Sequence, residues 1–238
     1  YTLSQTLLRQ AVNESHPMAQ QLLTPGPGVR PPPPGRNEQL APAALCYFGA
    51  PRAIATTAQL LRTHLHAALH VETFGEFPAN PWPGQLSELG PWQHLRENTS
   101  DALEPWLAAH GVDVQALKRD ATASSSWLSG LIGQDGDATH VWKGLEVCAE
   151  MIQQREQSRE QPFDTVVFAR TDLYFPHPLP ASVSVRTDEC WIPCPCNDWG
   201  GYCDQFAVCG RDAARHYAGV LDALKDKVVM QRMKARTG

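Results

Sequence analysis

Apolar residues recur along this chain with two different spacings. Ala43-Ala44-Leu45-Cys46-Tyr47-Phe48 is an unbroken run of strand length that ends at Gly49-Ala50-Pro51-Arg52. Ile54, Ala58, Leu61, Leu65 and Leu69 then follow with the spacing of one helix face. His70-Val71-Glu72-Thr73-Phe74 reads as a second strand. Strand, glycine turn, helix and strand make the unit of a parallel α/β sheet. Between Gly75 and Gly136 the pattern is lost among Pro, Trp and Ser, and only a short helix near Asp101 to His110 is expected. Periodicity returns at Val141, Leu145, Cys148, Met151 and Ile152, predicting a helix that runs into the polar stretch 153–161.

Thr165-Val166-Val167-Phe168-Ala169 is the clearest buried strand and leads straight into Arg170-Thr171-Asp172. Weaker strands are expected at Ser182 to Val185, Cys190 to Ile192 and Gln205 to Val208. Ala213, Tyr217, Val220, Leu221 and Leu224 mark a final amphipathic helix. The series predicts an α/β fold of three layers, a mixed sheet with helices on both faces. Residues 2–23 carry the pattern of a polar amphipathic helix, and the prolines between Pro25 and Pro34 favour an extended spacer. The division expected is therefore a stem or linker over 1–40 and a globular domain over 41–238.

Composition narrows the function classes. At 238 residues the chain is long enough to bury a full core. Its 20 Lys+Arg against 25 Asp+Glu give a net charge of -5 with no basic stripe, which argues against nucleic acid as partner. No apolar run reaches the roughly 18 residues that span a bilayer, so membrane attachment is expected only through an anchor upstream of Tyr1. Of seven cysteines, Cys190, Cys194, Cys196, Cys203 and Cys209 crowd into one stretch whose spacings fit no standard zinc module. One or two disulfides in an oxidising lumen are the better expectation. Cys46 and Cys148, in apolar periodic segments, read as small buried hydrophobes. The sequons at Asn13 and Asn98 suit a secretory setting.

Candidate chemistry gathers where strands end, because open α/β sheets bind ligands beyond the carboxyl ends of their strands. The turn at Gly49 with Arg52 offers backbone N–H groups and a guanidinium to a phosphate. Arg170 and Asp172 close the best-buried strand; Asp172 is placed for a divalent metal, while a local Arg170–Asp172 ion pair is the competing reading. Trp199-Gly200-Gly201-Tyr202-Cys203-Asp204-Gln205-Phe206 suggests a tight loop approached by a ligand, with Trp199 to stack on a sugar and Asp204 as a general base. A well-packed turn in which Asp204 caps backbone amides is the plainer alternative. His66 and His70 share a helix face, though a solvated helix end explains them, and His177 is a second-rank metal ligand.

Together these residues resemble a family of GT-A-like glycosyltransferases. Phe163-Asp164-Thr165-Val166-Val167-Phe168-Ala169-Arg170-Thr171-Asp172-Leu173-Tyr174-Phe175 is similar to its YD-x-V-x-x-x-R-x-D-L-x-F segment. Gly200-Gly201-Tyr202-Cys203-Asp204-Gln205-Phe206-Ala207 is similar to its G-G-x-x-D-x-F-A segment before the last helix. The likeness covers about Ala43 to Leu224. It implies a nucleotide-sugar donor, a glycan or protein hydroxyl as acceptor, a Golgi-type lumenal or extracellular setting, and Mn2+ or Mg2+. Donor-binding residues would be Gly49, Arg52, Arg170, Asp172, Trp199, Gly200, Gly201 and Gln205, with Asp204 catalytic. Asp172 would be the last Asp of a metal-binding D-x-D motif whose first position here is Arg170, which could itself neutralise the diphosphate. A non-catalytic subunit or sugar-binding module on the same fold is the alternative.

Overall fold

Six consecutive buried residues, Ala43–Phe48, form β1. A strand covered on both faces belongs in the middle of a sheet, and β1 lies between two parallel neighbours, β2 (Val71–Pro78) and β4 (Thr165–Arg170). β3 (His94–Asn98) extends the sheet beyond β2 in parallel. β6 (Phe206–Gly210) runs antiparallel to β4, and β5 (Cys190–Trp191) antiparallel to β6. The resulting order is β3-β2-β1-β4-β6-β5. This computed structural model describes residues 43–51, 53–69, 71–78, 86–98, 103–116, 138–179, 185–193 and 204–226, all within the compact unit Leu40–Gly238. The helix and spacer expected before residue 41 lie outside the described residues, as does most of the strand expected at 182–185.

The period of two along each strand sorts its side chains to opposite faces. Leu45, Tyr47, Phe77, Val167, Ala169 and Val208 pack with Ile54, Ala58 and Leu61 of α1 (Ile54–Leu61). Ala44, Cys46, Phe48, Phe74, Val166, Phe168 and Cys209 pack with Leu145, Cys148, Met151 and Ile152 of a long helix, residues Ala138–Arg159, and with Ala214 and Ala218. Helices therefore cover both faces of a mixed sheet, the three-layered α/β arrangement expected. Each fully buried Leu or Phe contributes about 2 kcal/mol through removal from water.

Several elements differ from expectation for physical reasons. β2 runs on through Gly75-Glu76-Phe77-Pro78, because Tyr47 and Phe48 pair with Gly75 and Glu76 on one side and β3 pairs on the other. The stretch expected to be irregular thus holds half of β2 and an edge strand, beside the short helix expected there, α3 (Leu103–Ala109). β3, His-Leu-Arg-Glu-Asn, shows no apolar run since an edge strand is covered on one side only. Following α3, the long helix is α4. The final helix is two, α5 (Arg211–Ala218) and α6 (Val220–Lys225), separated at Gly219.

Cys46 and Cys148 are not free apolar thiols. They form a fully buried disulfide that ties β1 to α4 across 102 residues. A second disulfide joins Cys190 and Cys209, directly opposite each other on β5 and β6. Cys194, Cys196 and Cys203 lie outside the described residues.

After α1 the helix widens into a π-helical turn, Arg62–His66, before α2 (Ala67–Leu69). This turn, expected as a solvated helix end, is packed. His66 Nε2 meets the buried Tyr47 hydroxyl at 3.1 Å, and burial, aided by the Arg62 charge, lowers the imidazole from 6.5 to about 4. His64 Nδ1 donates to Phe175 O at 2.6 Å while Leu179 N donates to His64 O at 3.0 Å. The chain that follows β4 is thereby fastened to the first helical layer. His70 lies outside the described residues, and His177 is exposed.

Candidate functional site

The first connection, through α1, carries the chain from β1 to β2 on one side; β4, reached through α4, lies on the other side. Such a reversal opens a crevice beyond the carboxyl ends of the two central strands. Gly49 and Arg170-Thr171-Asp172 stand at that edge, since Phe48 and Arg170 are partners in register.

Gly49 has φ 84°, and nothing lies within 4 Å of where a Cβ would stand. The backbone conformation rather than a lack of room requires glycine there. Arg52 lies outside the described residues. The residue after it, Ala53, is placed: Thr57 Oγ1 sits 2.9 Å from Ala53 O and 2.6 Å from Thr171 O. One buried hydroxyl therefore fastens the start of α1 to the end of β4.

Arg170 and Asp172 form a two-bond fork. Nε donates to Oδ1 at 2.9 Å and Nη2 to Oδ2 at 2.5 Å, with both side chains 26% exposed. The local ion pair, the competing reading of these two residues, is thus present. The antiparallel course of β6 brings its first residues to the same edge: Phe206 faces Ala169, and Arg170 N donates to Gln205 O at 2.9 Å. The Asp172 hydrogen bond, more than burial opposes, keeps Arg170 charged, and the Asp204 carboxylate adds to this from nearby. Gly49, Arg170, Asp172, Asp204 and Gln205 therefore meet at one edge. Trp199, Gly200 and Gly201 lie outside the described residues.

A divalent cation would need ligands with free lone pairs converging on one point. Both Asp172 oxygens are turned onto Arg170, and among the described residues no three His, Cys, Asp or Glu side chains converge for a metal. At the described edge a guanidinium is paired with one carboxylate, Asp172, and feels the charge of a second, Asp204. Asp135-Gly136-Asp137 is outside the described residues.

Two participants carried no signal in the sequence. Thr171 is fully buried, and its hydroxyl has no hydrogen-bond partner among the described residues. Tyr217, expected only as part of an apolar helix stripe, packs its ring at a tilt against Phe168 with ring centroids 5.5 Å apart. Burial and the Asp204 charge push its phenol well above the ordinary range, so Asp204 acts electrostatically on both Arg170 and Tyr217. A spacing rule finds neither, because both depend on contacts made across the sheet edge.

Two cavities in the described part lie elsewhere. One of about 230 Å³ separates α4 from α5 and α6, lined by Glu146, Phe168, Arg215 and Asp222 among others. There burial and the Asp222 charge push the Glu146 carboxyl up. The other, about 320 Å³, is bounded by Glu156, Gln157 and Arg211 near the far end of α4. Among the described residues no helix is long and apolar enough to cross a membrane. No family model matches the chain, and no curated protein is found to be similar to it.

Proposed function

We propose that the protein is a glycosyltransferase that moves a sugar from a nucleotide diphosphate to a hydroxyl acceptor. The observation that supports this reading is the meeting of Gly49, Arg170, Asp204 and Gln205 at the carboxyl edge of β1 and β4, where the chain connections reverse. A phosphate-bearing ligand in that crevice finds backbone N–H groups and a guanidinium. Arg52, four residues beyond the end of β1, is the second cation assigned to the diphosphate. In the reaction the acceptor oxygen bonds to the anomeric carbon as the bond from that carbon to the diphosphate breaks. The acceptor proton passes to the Asp204 carboxylate, and the guanidinium stabilises charge on the departing diphosphate. The two disulfides support an oxidising compartment such as the secretory lumen.

A second reading, a sugar- or nucleotide-binding module without turnover, is favoured by one observation: Asp172 is fully engaged with Arg170 rather than open to a ligand. Thermal-shift screening against UDP- and GDP-sugars, with and without Mn2+, followed by assay of free UDP or GDP over an acceptor-saccharide panel, separates the two. A shift with acceptor-dependent nucleotide release supports the transferase. A shift without release supports the module, and no shift with any donor removes both.

A further inference from the structure

We propose that Asp172 is a positioning residue that acts through Arg170, and not a ligand for a metal. The proposal rests on the donor-site reading above and assigns the division of labour within it. A free arginine side chain has many rotamers, and ordering it on a ligand costs entropy. The fork with Asp172 removes much of that freedom beforehand: Nε and Nη2 are each spent on one carboxylate oxygen. Of the five N–H donors of a guanidinium, three then remain to face the crevice, on Nη1 and the second position of Nη2.

The base of the fork is itself fixed. Arg170 N is held by Gln205 O, and Thr171 O accepts from Thr57. Carboxylate, guanidinium and backbone thus form one preformed unit at the end of β4. The pair is neutral as a whole, so it supplies directed donors rather than net charge. A metal at Asp172 would have to displace a two-bond fork and would then face the released guanidinium at close range, an arrangement opposed by like charge. Preorganised donors of this kind lower the cost of binding a planar array of phosphate oxygens.

The test is titration calorimetry of UDP and of GDP into the full chain, each in EDTA and in Mn2+, for the native protein, Asp172→Asn, Arg170→Lys and the double variant. Asp172→Asn keeps the shape, so a melting curve and near-UV dichroism check that it folds. Asp188→Asn, an exposed carboxylate in an Arg-Thr-Asp stretch away from this edge, is the control. The result expected is that Asp172→Asn weakens the nucleotide by about tenfold, by the same factor in EDTA and in Mn2+. Arg170→Lys, which keeps the charge and loses the fork, weakens it at least as much. The double variant is no worse than Arg170→Lys alone, the non-additivity of residues acting as one unit. A loss in Asp172→Asn confined to Mn2+, or one that adds fully to Arg170→Lys, overturns the positioning role while leaving the donor site standing. Failure of the native protein to bind either nucleotide in either buffer removes the donor site, and the proposal with it.

Discussion

The tripeptide Arg-Thr-Asp occurs twice in this chain, at 170–172 and at 186–188, and both copies close the same fork. In the first the two bonds measure 2.9 and 2.5 Å; in the second, 3.1 and 2.9 Å. What differs is the setting. The side chains of the first pair are 26% exposed, those of the second 72% and 61%. The first ends a buried parallel strand, with its backbone tied to Thr57 and Gln205; the second sits on a turn leading into β5. The comparison teaches that a fork between residues i and i+2 is a local product of sequence and is not, by itself, a sign of a site. An exposed ion pair is screened and contributes little. The first copy differs because its surroundings hold it half-buried at a strand edge with a second carboxylate, Asp204, close by.

Each copy stands near a disulfide, and removing the two bonds separately is the largest test of that difference. Cys46 is in register with Phe168, two residues before the first copy, and its bond closes 102 residues; Cys190–Cys209 closes 19. On chain-entropy grounds the pair Cys46→Ala and Cys148→Ala should cost about 4–5 kcal/mol, and Cys190→Ala with Cys209→Ala about 3 kcal/mol. Denaturant unfolding of each double variant measures both; equal losses would deny the first copy its firmer frame. Next comes the seat of the second copy. A Cβ on Gly210 would lie 1.9 Å from Arg186 O, a backbone atom with nowhere to retreat. Gly210→Ala is therefore expected to cost about 3 kcal/mol in the same experiment.

Acid should loosen the first copy's surroundings and spare the second's. His66 packs on Tyr47 two residues beyond His64, which holds the segment that follows Asp172, and its pKa falls from 6.5 to about 4 on folding. A lowered imidazole value means that the unfolded chain binds the proton more tightly. The stability it contributes is complete above pH 6.5 and is lost as pH falls towards 4, about 3 kcal/mol in all. Melting curves of the native chain and His66→Phe across that interval check this: the native curve should fall more steeply. Thr57→Val removes the hydroxyl that joins α1 to Thr171 O and should cost about 1 kcal/mol. Asp188→Asn should leave the melting temperature unchanged.

How much of this was legible beforehand follows from where each residue lies. β1, α1, α4 and β4 are buried on a periodic face or along an entire run, so apolar spacing locates them. β3 escaped because an edge strand of His, Leu, Arg, Glu and Asn has no such run. The Cys46–Cys148 bond escaped because spacing carries no information about partners 102 residues apart in the chain. Strand-end logic points to Gly49, Arg170 and Asp172, since the ends of buried strands are where polar residues gather beyond a core, and the glycine-rich loop before a strand points to Asp204. It leaves Asp172 divided between metal and ion pair, because side-chain direction is not carried by spacing. Thr57 and Tyr217 are silent because their roles arise from contacts with residues distant in the sequence.

The most direct measurement follows the guanidinium Nε–H resonances of Arg170 and Arg186 by 15N NMR as inorganic pyrophosphate is added in EDTA. Arg170→Lys and Arg186→Lys provide the assignments. The Arg170 signal should shift and saturate, the Arg186 signal should stay in place, and Asp172→Asn should move the saturation of Arg170 to about tenfold higher pyrophosphate. Equal movement of both signals, or an Arg170 signal that does not move at millimolar pyrophosphate, would contradict an anion site built on the guanidinium at the end of β4.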